Sequence, residues 1–222
     1  MDMKVDALSL EGNPRFDPYH LFVSAVPYMI DTARFMAGNE AHSYRNFLVG
    51  AAVFALQPAT QETDVFSSGN LKASRGKEKV CAEKKALNKA QKAGFSRVLG
   101  IVVVATTDRA KIAEVTNMPT ATLHPCDDCL TMFEGHSQVR DDTLVVTAGI
   151  DVDIYEVHTH KELHDIALKN ELPATEQVHF GLDNWRPRID VYDSMFYEQQ
   201  TMDGAKRTPY AELARIALTA PI

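Results

Sequence analysis

The chain has three cysteines, and all of them fall in two short motifs, Cys81-Ala82-Glu83 and Pro125-Cys126-Asp127-Asp128-Cys129. Each motif stands where the sequence predicts a helix to begin. Residues 81–93 place Ala82, Ala86, Leu87, Ala90 and Ala93 on one side and lysines on the other, with Gly94 as the stop. Residues 127–135 read as a short helix behind Pro125, which suits a helix start because it lacks only an N–H that would be unpaired there. A fold that uses the three cysteines together must bring these two helix N-termini face to face. Cys126 and Cys129, three residues apart, project from the same side of one turn, so both sulfurs can reach one ion. Cys81 supplies a third thiolate from the other helix. An odd, low cysteine count suits a reducing, cytoplasmic setting and metal binding more than disulfides.

The rest of the pattern alternates strands and helices. Residues 28–36 read as a helix with Pro27 in its first turn, and 47–56 as a buried strand followed by a short strand at 65–68. Residues 98–106 are β-branched almost throughout, as expected of a strand covered on both faces. Further strands are expected at 143–148 and 152–157, and a helix at 159–170. This order predicts an α/β fold, a three-layer α/β/α sandwich around a central mixed sheet. The expected organisation is a variable arm over residues 1–26, the main domain over 27–170, and an extension over 171–222 that packs on the core or on a neighbouring subunit. The extension holds the one tryptophan, Trp185, with Arg186 and Arg188 beside it.

A length of 222 residues suffices for one well-buried domain. The formal net charge of −7 argues against nucleic acid as a partner, which calls for a basic face. Residues 1–16 lack the apolar core of a secretory leader, and the longest apolar run, near 99–105, is too short to span a bilayer, so no membrane partner is expected.

Thiolate donors and a missing fourth cysteine point to zinc. A catalytic zinc keeps one coordination position open, whereas a structural zinc is closed by a fourth ligand. His124, next to Pro125, is the closing ligand that the second reading would need. Glu83 lies two residues past Cys81 and is expected in the same cavity as a proton carrier, not a ligand. All three cysteines sit near helix N-termini, where the positive dipole end favours thiolates.

At these motifs the chain resembles the cytidine deaminase family in its short, three-cysteine form. Ser43-Tyr44-Arg45-Asn46-Phe47-Leu48-Val49-Gly50-Ala51-Ala52 is similar to that family's S-x-(Y/F)-S-x-F-x-V-G-A-A stretch, and Gly69-Asn70-Leu71 stands where the family has a G-x-N-x-E-N segment. Residues 155–163 are similar to its last strand and the helix after it. The likeness spans roughly residues 27–166. It implies a zinc-dependent hydrolytic deaminase of a cytosine nucleoside or related aminopyrimidine, assembled as a homotetramer. It also implies that Cys81, Cys126 and Cys129 hold the zinc and Glu83 shuttles protons. Phe47 would line the base pocket, Asn70 would bond a sugar hydroxyl, and the Ala82 N–H would meet the pyrimidine carbonyl.

The chain departs from the family where substrate is gripped. Lys72 stands at the glutamate of G-x-N-x-E-N, and a cation there suits a phosphate, a carboxylate or an altered sugar. With Arg75, Lys77 and Lys79 it makes a local anion site plausible. Lys84 and Leu130 replace two arginines that offset thiolate charge, so Lys84 is expected to tune the charge at the zinc. These departures keep two other readings in view, a deaminase of a phosphorylated or modified nucleoside and a catalytically silent zinc-stabilised scaffold. His158, His160 and His164 form an H-x-H-x-x-x-H pattern that is read as an exposed or interface helix, with a second metal as the rival.

Overall fold

The computed structural model describes residues 18–43, 46–74, 77–113, 120–169 and 178–180. The chain divides into two compact units, Met1–Trp185 and Arg186–Ile222, and every described residue belongs to the first. The expected extension, including Trp185, Arg186 and Arg188, lies outside the described residues apart from 178–180. So do Tyr44, Arg45 and Arg75.

In chain order the elements are α1 (Pro18–Asn39), β1 (His42–Ser43), β2 (Gly50–Gln57), β3 (Glu62–Gly69), β4 (Leu71–Ser74), β5 (Lys77–Val80), α2 (Ala82–Lys92), β6 (Arg97–Ala105), α3 (Arg109–Ala113), α4 (Asp127–Glu134), β7 (Leu144–Gly149), β8 (Ile154–Thr159), α5 (His160–Lys169) and β9 (Val178–Phe180). Six strands form the main sheet in the order β3-β2-β6-β7-β8-β9, and β1, β4 and β5 form a small second sheet. The main sheet is mixed, because β6 and β7 run parallel while its other neighbours are antiparallel.

Its two faces are both covered, which is why β6 is buried along its whole length. On one face lie Ala51, Val53, Ile101, Val103 and Val145, packed with Ala86, Leu87 and Ala90 of α2, Leu130 and Phe133 of α4, and Leu163 and Ile166 of α5. On the other lies α1, where Phe22 meets Phe54 at 5.8 Å between ring centroids. Helices, sheet and α1 make the three layers that the sequence predicts. β6 carries a bulge: Phe54 pairs with Gly100 and Ala55 with Val98, so Leu99 is an extra residue and Val98 returns to the α2 side.

α1 starts at Pro18, well before the expected start near residue 28, and absorbs part of the presumed arm. Pro27 lies inside the helix, although its ring and missing N–H cost an interior helix about 3 kcal/mol. Burial of Phe22, Val26, Met29, Ile30, Ala33 and Ala37 outweighs that local preference. At the sheet edge, Lys85 and Lys89 of α2 donate to the carbonyls of Gly69 at 2.8 Å and Ser67 at 2.6 Å, which blunts β3 as a pairing edge. No helix among the described residues is long and apolar enough to cross a membrane.

Candidate functional site

α2 and α4 present their N-termini to one another on the same side of the sheet, and the N-cap residues are Cys81 and Cys126. Both caps have extended backbones (φ −67°, ψ 151° and φ −71°, ψ 169°), and neither sulfur makes a capping hydrogen bond. The thiols are therefore turned to each other and not back onto the helices. Cys129 stands on the first turn of α4, where its N–H and that of Leu130 close onto the Cys126 carbonyl at 2.8 and 2.9 Å.

The three sulfurs lie within 4.8 Å of one another, and Cys126 and Cys129 are 3.8 Å apart. That separation is too long for a disulfide. It matches two sulfurs about 2.3 Å from one tetrahedral zinc, which sit about 3.8 Å from each other. The donor set thus fits zinc by number, softness and spacing. Without a cation the cysteines do not ionise independently. Hydrogen bonds from Cys129 and Cys81 hold Cys126 down at about 2, while Cys81 is pushed up to about 12 by its hydrogen bond to Cys126, and Cys129 is raised as well. One thiolate shared between two thiols is the state a metal ion replaces as it displaces protons.

Glu83 follows on the first turn of α2 and is only 4% exposed. Burial pushes its carboxyl up to about 7, with the Cys126 thiolate adding to the rise; the Glu83 backbone N–H, Cys129 and Lys72 partly offset it. A carboxyl poised near neutrality beside a metal-binding cluster can both take and give a proton. Neither Glu83 nor His124 belongs to the group of converging ligand atoms formed by the three cysteines.

A pocket opens over the sulfurs and Glu83, with Phe47, Lys72 and His124 on its walls. Phe47 is delivered by a loop that turns at Asn46, a left-handed residue with φ 53°, as asparagine tolerates. Lys72 of β4 holds its ammonium 5.6 Å from the Phe47 ring centroid and is the one Lys or Arg among the described lining residues. Ala82 opens α2 and is fully buried, so its N–H is one of the donors that a helix start leaves without an intrahelical partner.

Three expectations change. Asn70 is not among the described residues that line the pocket; its amide braces the strand entrance, accepting from Val49 N at 3.1 Å and donating to Phe47 O at 2.9 Å. Lys84 is exposed on the side of α2 away from its buried face; Lys72 is the cation that acts on Glu83 and Cys126. The three histidines do not share a surface. His158 lies on β8, stacked edge-on against His124 at 4.8 Å, His160 is buried against Phe133, and only His164 faces out, 2.6 Å from Glu134.

Sequence reasoning missed a buried polar network behind the cysteines. Glu156 of β8 accepts the Thr122 N–H at 2.7 Å and the Thr122 hydroxyl, and lies 3.3 Å from His124 Nε2, which is also 3.2 Å from Thr147 Oγ1. Desolvation works against the Glu156 charge, but the hydrogen bond and charge of His124, with the Thr122 donors, bring it down to about 2. A glutamate and a histidine two apart in an otherwise apolar strand were the available signal.

No protein-family model matches the chain, and no curated protein matches it. Among solved structures it is similar to a cytidine deaminase from Burkholderia pseudomallei, at 23% identity and a TM-score of 0.48 over 62% of this chain and 94% of that one. A cytidine deaminase from Mycobacterium leprae is similar at 19% identity and a TM-score of 0.42, over 62% and 95%. That from Mycobacterium tuberculosis is similar at 20% and 0.39, over 55% and 82%.

Proposed function

We propose that this protein is a zinc-dependent aminohydrolase that converts the C4 amino group of a cytosine nucleoside or related aminopyrimidine to a carbonyl, releasing ammonia. The observation that carries this reading is the meeting of three sulfurs from two helix N-termini beside the buried carboxyl of Glu83 in one pocket. Cys81, Cys126 and Cys129 hold the metal. Zinc bound there supplies Lewis-acid activation of water.

Glu83 handles the protons. It takes one proton from the attacking water and passes it to the ring nitrogen, then takes the second from the hydroxyl added at C4, as the carbonyl forms, and gives it to the departing amine. Its raised pKa suits both directions of transfer near neutral pH. Phe47 packs against the base and excludes water, and the Ala82 N–H meets the ring carbonyl at the positive end of α2. Leaving His124 with Glu156 keeps it from closing the metal, which favours the catalytic reading over a silent scaffold.

Lys72 supports a narrower substrate class. Its ammonium on the pocket wall favours a nucleoside that carries a phosphate or carboxylate over a neutral one. A homo-oligomer with sites at subunit borders and a cytoplasmic setting complete the proposal. Purified zinc-loaded protein is to be assayed on cytosine, cytidine, deoxycytidine and their monophosphates by loss of aminopyrimidine absorbance and by ammonia release. Turnover that disappears with Glu83→Ala supports the chemistry. Inactivity across the panel in a zinc-loaded sample rejects a cytidine-type role.

A further inference from the structure

The proposed reaction leaves unused the buried group formed by His124, Glu156 and His158. Glu156 and His158 alternate along β8 and therefore project from one face of the strand. Their register partners on β7 are Thr147 and Val145, and Val145 belongs to the core beneath α2, α4 and α5. His124 comes down onto them from the loop that leads into Pro125 and Cys126. Glu156 and His158 are 0% exposed and His124 is 1% exposed. A carboxylate and two imidazoles in an aliphatic core are costly unless charge and hydrogen bonds are balanced.

The network balances only half of them. Oε2 of Glu156 and Nε2 of His124 are engaged by Thr122, by Thr147 and by each other. The second atom of each group, Glu156 Oε1 and His124 Nδ1, is buried with no hydrogen-bond partner. Each group therefore keeps one buried donor or acceptor atom for a further partner.

We propose that His124, Glu156 and His158 form a second, structural divalent-cation site, separate from the cysteines. One donor atom from each of the three lies within 4.8 Å of the others. Two imidazoles and a carboxylate suit zinc and its first-row neighbours. All three residues are at most 1% exposed, and the cation acts as a brace. It ties β8 to the segment 122–126 and so fixes from behind the loop that delivers Cys126.

Cobalt titration of the reduced, metal-stripped full chain tests this independently of any turnover. Absorption spectra and total bound metal are recorded together. Cobalt on thiolates gives an intense near-ultraviolet charge-transfer band, and cobalt on imidazole and carboxylate gives none. The wild type is expected to bind a second equivalent after the charge-transfer band has saturated. His158→Ala and Glu156→Gln are each expected to lose that equivalent and keep the band. Cys126→Ser with Cys129→Ser is expected to lose the band and keep the other equivalent. A wild-type chain that saturates with the band alone overturns the proposal, and means that a buried water satisfies the two atoms. Retention of the second equivalent in both His158→Ala and Glu156→Gln overturns it equally. Failure of the cysteine site would show differently, as bound cobalt with no charge-transfer band in the wild type.

Discussion

Asn70 holds Phe47 in place through the backbone: its Nδ2 donates to the Phe47 carbonyl at 2.9 Å while its Oδ1 accepts from the N–H of Val49 at 3.1 Å. The side chain is 1% exposed and sits between the end of β3 and the start of β4. One amide thus substitutes for the strand partner that the loop before β2 lacks. Asn70→Ala leaves a buried donor and a buried acceptor unmet, each worth about 1–3 kcal/mol. Urea unfolding is expected to show a loss of about 2–4 kcal/mol with an unchanged slope. The same variant should raise KM more than it lowers kcat, since the aromatic wall loosens. A variant within about 0.5 kcal/mol of the wild type would contradict this role.

Glu83 gives the metal-free protein a defined pH dependence. Its carboxyl is held near 7 in the folded chain against 4.5 for the free side chain, so between these values the folded state keeps a proton that the unfolded state has released. Stability from this group is complete below pH 4.5 and is lost as pH rises through 7. The change is on the order of 3 kcal/mol. Glu83→Gln removes it. Unfolding of reduced, metal-free wild type and Glu83→Gln at about pH 5 and pH 8 should show the variant gaining on the wild type by about 2–3 kcal/mol, because the cysteine titrations common to both cancel. Catalysis by the loaded enzyme should fall about 10²–10⁴-fold in the same variant.

Lys72 stabilises the charged forms of Glu83 and Cys126 across the pocket. Removing it in Lys72→Met should move the acidic limb of the kcat/KM profile to higher pH, since Glu83 then releases its proton less readily. The half-buried ammonium also predicts selectivity. The ratio of kcat/KM for a cytosine nucleotide to that for its nucleoside should drop by about tenfold or more, the scale of one charge-assisted hydrogen bond. A shifted pH profile with an unchanged ratio would assign Lys72 to the metal charge alone.

Much of this arrangement is legible in the sequence, and the limits are physical. The β-branched run near 98–106 can only be a strand covered on both sides, and β6 is buried throughout. The alanine face of residues 81–93 gives α2 to within a residue at either end. The meeting of the cysteines follows from ligand chemistry without any knowledge of the chain path. Lys84 could have been placed too, since Glu83, Ala86, Leu87 and Ala90 define a buried stripe that excludes it. The start of α1 was hidden because Pro27 is a strong local signal, whereas the packing that overrides it comes from β2 and β6, far along the chain. Asn70 and Glu156 bond to partners more than twenty residues away, and no local spacing encodes that.

Gly100 and Phe22 form a close contact between α1 and the sheet. A Cβ built on Gly100 would fall inside the Phe22 ring, so the glycine is there to let the aromatic ring lie on the strand. Its φ is not in the left-handed region, and the requirement is one of space, not of backbone freedom. Gly100→Ala is therefore expected to destabilise the fold by overpacking, by about 1–3 kcal/mol, although alanine is otherwise the better strand residue. Phe22→Leu alone should also cost about 1–2 kcal/mol, from lost burial and the lost ring contact with Phe54. Combined, the smaller side chain makes room for the new methyl, and the double variant should be more stable than Gly100→Ala alone. The coupling, read from urea unfolding of all four proteins, should be favourable by about 1 kcal/mol or more. Strict additivity would mean that the ring simply rotates aside, and that α1 is held to the sheet by Val26, Met29 and Ile30 without need of Phe22 on Gly100.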